Sequence, residues 1–503
     1  MRLFKALATV SLLTSLSRIG GFIRDIIMAA VLGAGPVADA FFIALKMPNM
    51  FRRITAEGAL TVAFVPTYTE KQEREGQDSA SDYAGTVAGV LSAVLIPFSI
   101  LIIWLMPYVM GLLAPGFEIG ETRYTYGVEF SRITFFYLTL MSLAALMGGV
   151  MNAHNRFVPF AAAPVLFNVC LIGGLLISGY FDTVGHALSW AVLFSGVLQF
   201  IFLWVCMKAY KIRFNFKKPI FNSDIKKLFK LMGPGVVGAG VAQINLFVDV
   251  ILASLLPAGA ISALYYADRL NQLPLGIVGV AIGTALLPMM ARAVSANDTQ
   301  RASQLFFKSL FFGLLLALPA AVALGCISNT LIGGLFERGE FTADNTALTA
   351  NVLKAYAIGL PAFILTKVYA TFYFSRQDTI TPVKISAVTT ILNTLMSLAA
   401  INYLGIIGIA LATSVAMWIQ IFIYVFITRH EIILQPTETK KILATVLCAG
   451  LMGACLLLGN YMIVMPILVK MFVLVAIGIA SYTFFVFITG VFSIKEIKNY
   501  LKK

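Results

Sequence analysis

The stretch "LFKALATVSLLTSLSRIGGFIRDIIMAAVLG", Leu3–Gly33, is apolar for longer than a membrane crossing needs, yet it holds Arg18, Arg24 and Asp25 around a Gly20-Gly21 pair. A crossing helix takes about 20 apolar residues. A secretory leader is the rival reading of such an N-terminal run. No small-residue cleavage site closes it, and the apolar pattern resumes after Asp25, so we read it as an uncleaved first helix. Similar runs recur along the chain, and the reading of this one carries over to them.

With 59% hydrophobic and 12% charged residues over 503 positions, the composition is that of a polytopic membrane protein. Apolar runs of helix length lie near 3–33, 36–65, 83–113, 124–153, 159–179, 185–208, 231–256, 261–291, 303–326, 345–374, 382–402, 405–428, 441–458 and 466–492. They predict an all-α fold of 14 transmembrane helices, with both termini on one side. Loops on that side carry 24 Lys and Arg, whereas the opposite loops carry two, Arg123 and Arg338. The excess of basic loop residues places both termini in the cytoplasm. The net charge of +14 thus belongs to membrane loops, and nucleic acid is not an expected partner. The five cysteines lie in apolar runs with no C-x-x-C, and the three histidines show no ligand spacing, so neither disulfide nor zinc is expected.

The basic stretch "KAYKIRFNFKKPIFNSDIKKLFK", Lys208–Lys230, divides the chain. We expect an N-terminal lobe at 1–208 (spans 1–6), a cytoplasmic amphipathic linker at 209–230, a C-terminal lobe at 231–430 (spans 7–12) and a C-terminal helix pair at 431–503. The lobes repeat in register: Pro66 and Pro288 stand 222 residues apart, and Arg156 and Arg376 stand 220 apart. Six helices per half give copies of like orientation, an arrangement in which transporters bind substrate between the halves.

Charges inside the apolar runs need a cause, because a central Arg or Asp costs ~2.5–3.5 kcal/mol on insertion scales. Arg18 and Arg24, six residues apart, point about 240° apart on a straight helix. The reading therefore has Gly20-Gly21 kink or unwind the helix and turn both guanidinium groups to one cavity. Span two adds Asp39, Lys46, Arg52, Arg53 and Glu57, and span eight adds Asp268 and Arg269. The planar guanidinium fork grips phosphate oxygens in two-point fashion and keeps its proton. Arg18, Arg24, Arg52 and Arg269, with Asp39, are the candidate substrate-binding residues. Asp25, Arg53, Glu57 and Asp268 are candidate gate or ion-pair residues, Arg53 and Glu57 being one helical turn apart. A net-cationic cavity calls for an anionic cargo. Asp249, Asn393 and Thr413 could surround a Na⁺ ion; a hydrogen-bonded buried carboxylate explains Asp249 equally well.

These residues stand in the words "SRIGGFIRD", "ADAFFIALKMPNMFRRITAEGALTVAFVP", "NAHNRFVPFAAAPVLFN", "YYADRLNQLPLGIVGVAIGTALLP", "LFERGEFTADNT" and "FYFSRQDTITPVK". Here the sequence resembles the MurJ (MviN) lipid II flippases of the multidrug/oligosaccharidyl-lipid/polysaccharide exporter superfamily. The resemblance implies a two-lobed, V-shaped transporter that moves undecaprenyl-pyrophosphate-linked disaccharide-pentapeptide from the cytoplasmic to the periplasmic leaflet by alternating access. It links the positions of Arg18, Arg24, Arg52, Arg269 and Asp39 to function, and the last two helices to a groove for the lipid tail. It implies lipid II and membrane lipids as partners, with cell-wall synthesis proteins as further candidates. We expect a monomer with no cofactor beyond membrane-potential or Na⁺ coupling, and no enzymatic activity. The rivals are a flippase for another lipid-linked oligosaccharide and an ion-coupled drug antiporter of the same superfamily. A cationic drug would need a net acidic cavity, the reverse of what is seen.

Overall fold

The structure, a computed structural model, describes residues 2–53, 60–281, 286–296, 298–429 and 436–491. Helices α1 (Arg2–Leu32), α2 (Pro36–Arg52), α3 (Thr61–Glu75), α4 (Gln77–Trp104), α5 (Met106–Leu113) and α6 (Thr122–Thr134) come first. They are followed by α7 (Tyr137–Ala153), α8 (Val158–Leu176), α9 (Val184–Ala209), α10 (Ser223–Ser254), α11 (Ala260–Ala281) and α12 (Leu287–Ser295). The last six are α13 (Thr299–Cys326), α14 (Ser328–Phe336), α15 (Ala343–Ser375), α16 (Ile380–Thr428), α17 (Pro436–Met462) and α18 (Ile467–Ile488). No strand occurs among the described residues. Nine helical stretches among them are long and apolar enough to cross a membrane.

The helices follow the apolar runs with definite differences. Runs three and four each become two helices, α4 with α5 and α6 with α7, whereas α2 and α3 of run two and α11 and α12 of run eight lie either side of residues outside those described. Pro107 stands in the first turn of α5, where the missing amide is harmless and a new helix starts easily. Runs eleven and twelve are joined in α16 across a kink at Gly405, whose φ of 54° and ψ of −133° suit a residue without Cβ. Between runs nine and ten the chain forms the short α14, which packs on α15 and α18.

One expectation is overturned. The Gly20-Gly21 pair does not break the first helix, since α1 runs from Arg2 to Leu32 without interruption. Two glycines cost a helix about 2 kcal/mol relative to alanine. Packing along α8 offsets this, with Asn168 lying against both glycines.

The chain divides into two compact units, Met1–Ser262 with Gly339–Phe341 and Ala263–Arg338 with Thr342–Lys503. Residues 231–262, expected in the second lobe, thus pack with the first. The Gly116 amide donates to Ser254 Oγ at 3.2 Å, and Arg123 Nη1 donates to the Leu256 carbonyl at 2.8 Å. The 209–230 segment, expected as an amphipathic linker, has two parts. Residues 211–222 are non-helical, and α10 begins at Ser223. The Lys217 amide donates to the Gly85 carbonyl, and Ser81 Oγ donates to the Arg213 carbonyl. A Cβ on Gly85 would stand 2.0 Å from the Asn215 carbonyl oxygen, and one on Gly89 2.0 Å from that of Lys217. Two glycines one turn apart on α4 therefore let this strap lie flat. Arg213–Asp78 and Lys217–Asp82 ion pairs flank it.

Two helix ends close in the same way at the spacing of the expected repeat. Asn155, after α7, and Gln377, after α15, are 222 residues apart and have φ of 59° and 62°. At each, the following amide reaches back to close the helix, Arg156 to the Met151 carbonyl and Asp378 to that of Tyr373.

Candidate functional site

In the first unit, α1 carries the buried charge. Arg24 is 6% exposed and Asp25 2%. Arg24 Nη2 and Nε donate to Asp25 Oδ1 at 2.7 and 3.1 Å, and Nη1 donates to Asn168 Oδ1 at 2.9 Å. The amide of Asn168 donates in turn to the Ser17 carbonyl at 2.8 Å. Asn168 thus ties α8 to the two charges of α1, and the guanidinium stands 5.6 Å from the Phe167 ring centroid. Burial of this kind is tolerated only with a partner, since an unpaired ion in low dielectric costs several kcal/mol. Arg18 is exposed. With α1 unbroken, Arg18 shares a face with Asp25, seven residues on, and not with Arg24. The carboxylate draws the Arg24 guanidinium round toward that face.

Asp39, in the first turn of α2, is fully buried. Its Oδ2 accepts from the Gly259 amide at 2.7 Å, and its Oδ1 accepts from the Ser262 amide at 2.8 Å and Ser262 Oγ at 2.5 Å. A carboxylate from α2 thereby caps the first turn of α11, where free amides and the helix dipole favour negative charge. At the other end of α2, Arg52 Nε donates to Asn49 Oδ1 at 3.2 Å, and Asn49 Nδ2 donates to the Leu45 carbonyl at 2.8 Å. Arg53 is exposed at the end of this helix. Glu57 lies outside the described residues.

Arg123 is 8% exposed and occupies the loop side of α6. Beside the Leu256 carbonyl it binds Glu121 Oε1 at 2.9 Å, with its guanidinium 4.8 Å from the Phe117 centroid. The hydrogen bond from Arg123 holds the Glu121 carboxyl below its ordinary range. Arg123 entered the sequence reading only as a loop charge. What marks it is the adjacent Glu121 and the pair of aromatic and glycine residues upstream, a weak signal without coordinates.

In the second unit, Arg269 lies half-buried on α11, its Nη2 donating to Tyr265 OH at 3.0 Å and its guanidinium 4.5 Å from the same ring. Asp268 accepts from Gln272 Nε2 one turn on. Asn393 and Thr413 are buried on α16, and Thr413 Oγ1 donates to the Ile409 carbonyl. Asp249, half-buried on α10, belongs to the first unit. Among the described residues no cluster of His, Cys, Asp and Glu could hold a metal ion.

The geometry brings Arg24, Asp25 and Asn168 together, and Asp39 with the 259–262 turn. The partners Asn168, Ser262 and Tyr265 were not singled out in the sequence, because each is a common helix residue whose role comes from a contact over a long sequence distance or across a helical turn.

Long apolar helices, one of them holding a buried Arg24–Asp25 pair, are those of a polytopic membrane protein. The fold agrees with solved transporters of the MOP superfamily: an inward-facing multidrug-resistance MATE family structure matches with a TM-score of 0.70 at 12% identity, covering 84% of this chain and 97% of that one. The family model "Lipid II flippase MurJ" matches residues 28–480, and the chain belongs to that family. A "Probable lipid II flippase MurJ" of Rhizobium meliloti is 42% identical over 425 residues, 84% of this chain and 79% of that protein. The "Lipid II flippase MurJ" of Burkholderia cenocepacia is 33% identical over 466 residues, 90% of each chain. A solved "Lipid II flippase MurJ, inward closed conformation" superposes with a TM-score of 0.82 at 26% identity, covering 95% of this chain and 97% of that one.

Proposed function

We propose that the chain is a lipid II flippase, carrying the undecaprenyl-pyrophosphate-linked peptidoglycan precursor from the cytoplasmic to the periplasmic leaflet of the inner membrane without altering it chemically. Family membership supports this cargo over another lipid-linked oligosaccharide. The observation that carries the chemistry is Arg24, a guanidinium 6% exposed within an apolar helix, balanced by Asp25 and oriented by Asn168. A diphosphate cannot enter hydrocarbon with its water. It can exchange that water for arginine, and at Arg24 it would compete with the Asp25 carboxylate for one fork of donors. Arg18, Arg52 and Arg269 are the further cations assigned to the headgroup, and Asp25, Arg53, Glu57 and Asp268 to gating. The Asp39 cap on the 259–262 turn would hold one state closed until that bond is given up.

The working topology has 14 crossings with both termini cytoplasmic, pseudo-symmetric six-span sequence repeats at 1–208 and 231–430 joined through the 209–230 linker, and a helix pair at 431–503 for the lipid tail. The protein works as a monomer, driven by the membrane potential; a Na⁺ contribution through Asp249, Asn393 and Thr413 is the alternative coupling. Complementation of a strain depleted of its own lipid II flippase tests the reading. Growth with lipid II reaching the outer leaflet is expected. Lipid II confined to the inner leaflet, with this chain present at normal levels, would overturn it.

A further inference from the structure

The cytoplasmic end of α9 carries a site that the flippase reading does not use. A cavity of about 340 Å³ opens there, lined by Trp204, Lys208, Lys211, Arg213 and Asn215 among others. The Lys208 ammonium stands 3.9 Å from the Trp204 ring centroid, and Arg213 is shared with Asp78. Lys211 holds the position after the helix end with a φ of 57°, a left-handed conformation that is disfavoured for a residue with a Cβ and that glycine adopts freely. A lysine is kept where a glycine would close the helix at lower cost.

The outer face of the same helix is apolar. Phe194, Val197, Ile201 and Val205 are exposed at helical spacing and lead up to Trp204. From Ile201 to Lys208 the helix rises about 10 Å, so the lysines stand just beyond the apolar stripe, with Trp204 at the boundary. Tryptophan and lysine in this order mark the level where hydrocarbon meets headgroups. The occupant that matches both halves is an amphiphile whose tail follows the stripe and whose anionic phosphate enters the basic cavity.

The geometry points to a binding site for an anionic phospholipid of the cytoplasmic leaflet, its phosphate between Lys208 and Lys211 and its chain along Phe194, Val197 and Ile201. The leaflet assignment rests on the proposed topology; the binding site does not. The full chain with Trp104, Trp190 and Trp418 changed to Phe leaves Trp204 as the reporter. In nanodiscs, brominated phosphatidylglycerol should quench it at a lower mole fraction than brominated phosphatidylcholine. Lys211→Gln should raise the half-quenching fraction about fivefold, as expected for one cation at a membrane surface, and Lys208→Gln should do likewise. Identical curves for the two lipids, or curves unmoved by both variants, would overturn the site. Relief of quenching by added inorganic phosphate would also overturn it, by making free phosphate the ligand. As a check that does not depend on the tryptophan background, native mass spectrometry of the unaltered chain should retain phosphatidylglycerol more than the Lys208→Gln/Lys211→Gln variant does. Equal retention sinks the proposal. Labelling of Lys211→Cys by an impermeant maleimide in intact cells reads the leaflet separately: protection supports it, and modification from outside overturns the leaflet and topology while leaving the quenching result to stand by itself.

Discussion

Arg24 and Asp25 are adjacent in sequence and share a hydrogen-bonded pair almost out of reach of solvent. Removing one partner of such a pair leaves a bare charge in low dielectric, at a cost of about 3–5 kcal/mol. Arg24→Ala is therefore a poor probe of transport, because loss of folded protein is expected with it. The paired variant Arg24→Gln/Asp25→Asn removes both charges and keeps the hydrogen-bonding atoms. It should unfold within a few degrees of the parent, while lipid II transport falls to background in a flip assay at matched expression; full transport would remove Arg24 from the mechanism. Gly21 separates a second pair of ideas. The sequence shows two glycines amid charges and suggests a broken helix, but the backbone passes through them unbroken. A Cβ on Gly21 would meet Asn168 at 3.6 Å, an ordinary contact. Gly21→Ala should thus raise thermal stability by up to ~1 kcal/mol. If activity survives, the glycines are a packing surface for α8; if activity is lost with stability gained, the first helix must bend at another stage of the cycle.

Helices were legible where apolar length spoke for them, and illegible where a local break or a partner distant in sequence decided the outcome. The kink at Gly405 falls where the sequence already separates two runs, whereas the helix start at Pro107 lies inside a run that reads as one span. The 209–230 segment reads as an amphipathic linker from its mixture of Lys with Phe and Ile, and residues 211–222 of it form the strap. Its actual course depends on Gly85 and Gly89, more than a hundred residues earlier, which expose the α4 backbone to it. Gly85→Ala must push the Asn215 carbonyl from a 2.0 Å approach, and overpacking of this order costs about 1–3 kcal/mol. Protease nicking of the strap should rise in that variant, whereas Gly173→Ala, on α8 with open space around it, should leave nicking unchanged. The Arg123 loop gives a pH signature. Glu121 titrates below its ordinary 4.5 because Arg123 hydrogen-bonds the ionised form. Its contribution is complete above that ordinary value and is lost as pH falls through the lowered folded value. Stability measured between pH 6 and the acid limb should fall less steeply in Glu121→Gln than in the parent, and equal slopes would show that the pair does not matter to folding.

Charge decides what the whole molecule can be driven by. The chain is strongly basic in the loops assigned to the cytoplasm. A diphosphate cargo moving outward carries negative charge away from a cytoplasm that is already negative. Each elementary charge moved across the full field gains about 2.3 kcal/mol per 100 mV, so the potential favours export of the loaded headgroup without a second ion. If the guanidinium groups stay in place while the phosphate passes, that gain is retained in full. If arginines equal in number to the phosphate charges move outward with the headgroup, the charges cancel and the voltage dependence disappears; Arg24 moving by itself would remove only part of it. Reconstituted vesicles with an imposed potassium diffusion potential distinguish the two. A flip rate that rises with inside-negative potential, and is unchanged when Na⁺ is replaced by choline, is expected from fixed arginines. A rate indifferent to voltage and dependent on Na⁺ would shift the driving force to Asp249, Asn393 and Thr413, and would mean that the arginines travel with their cargo.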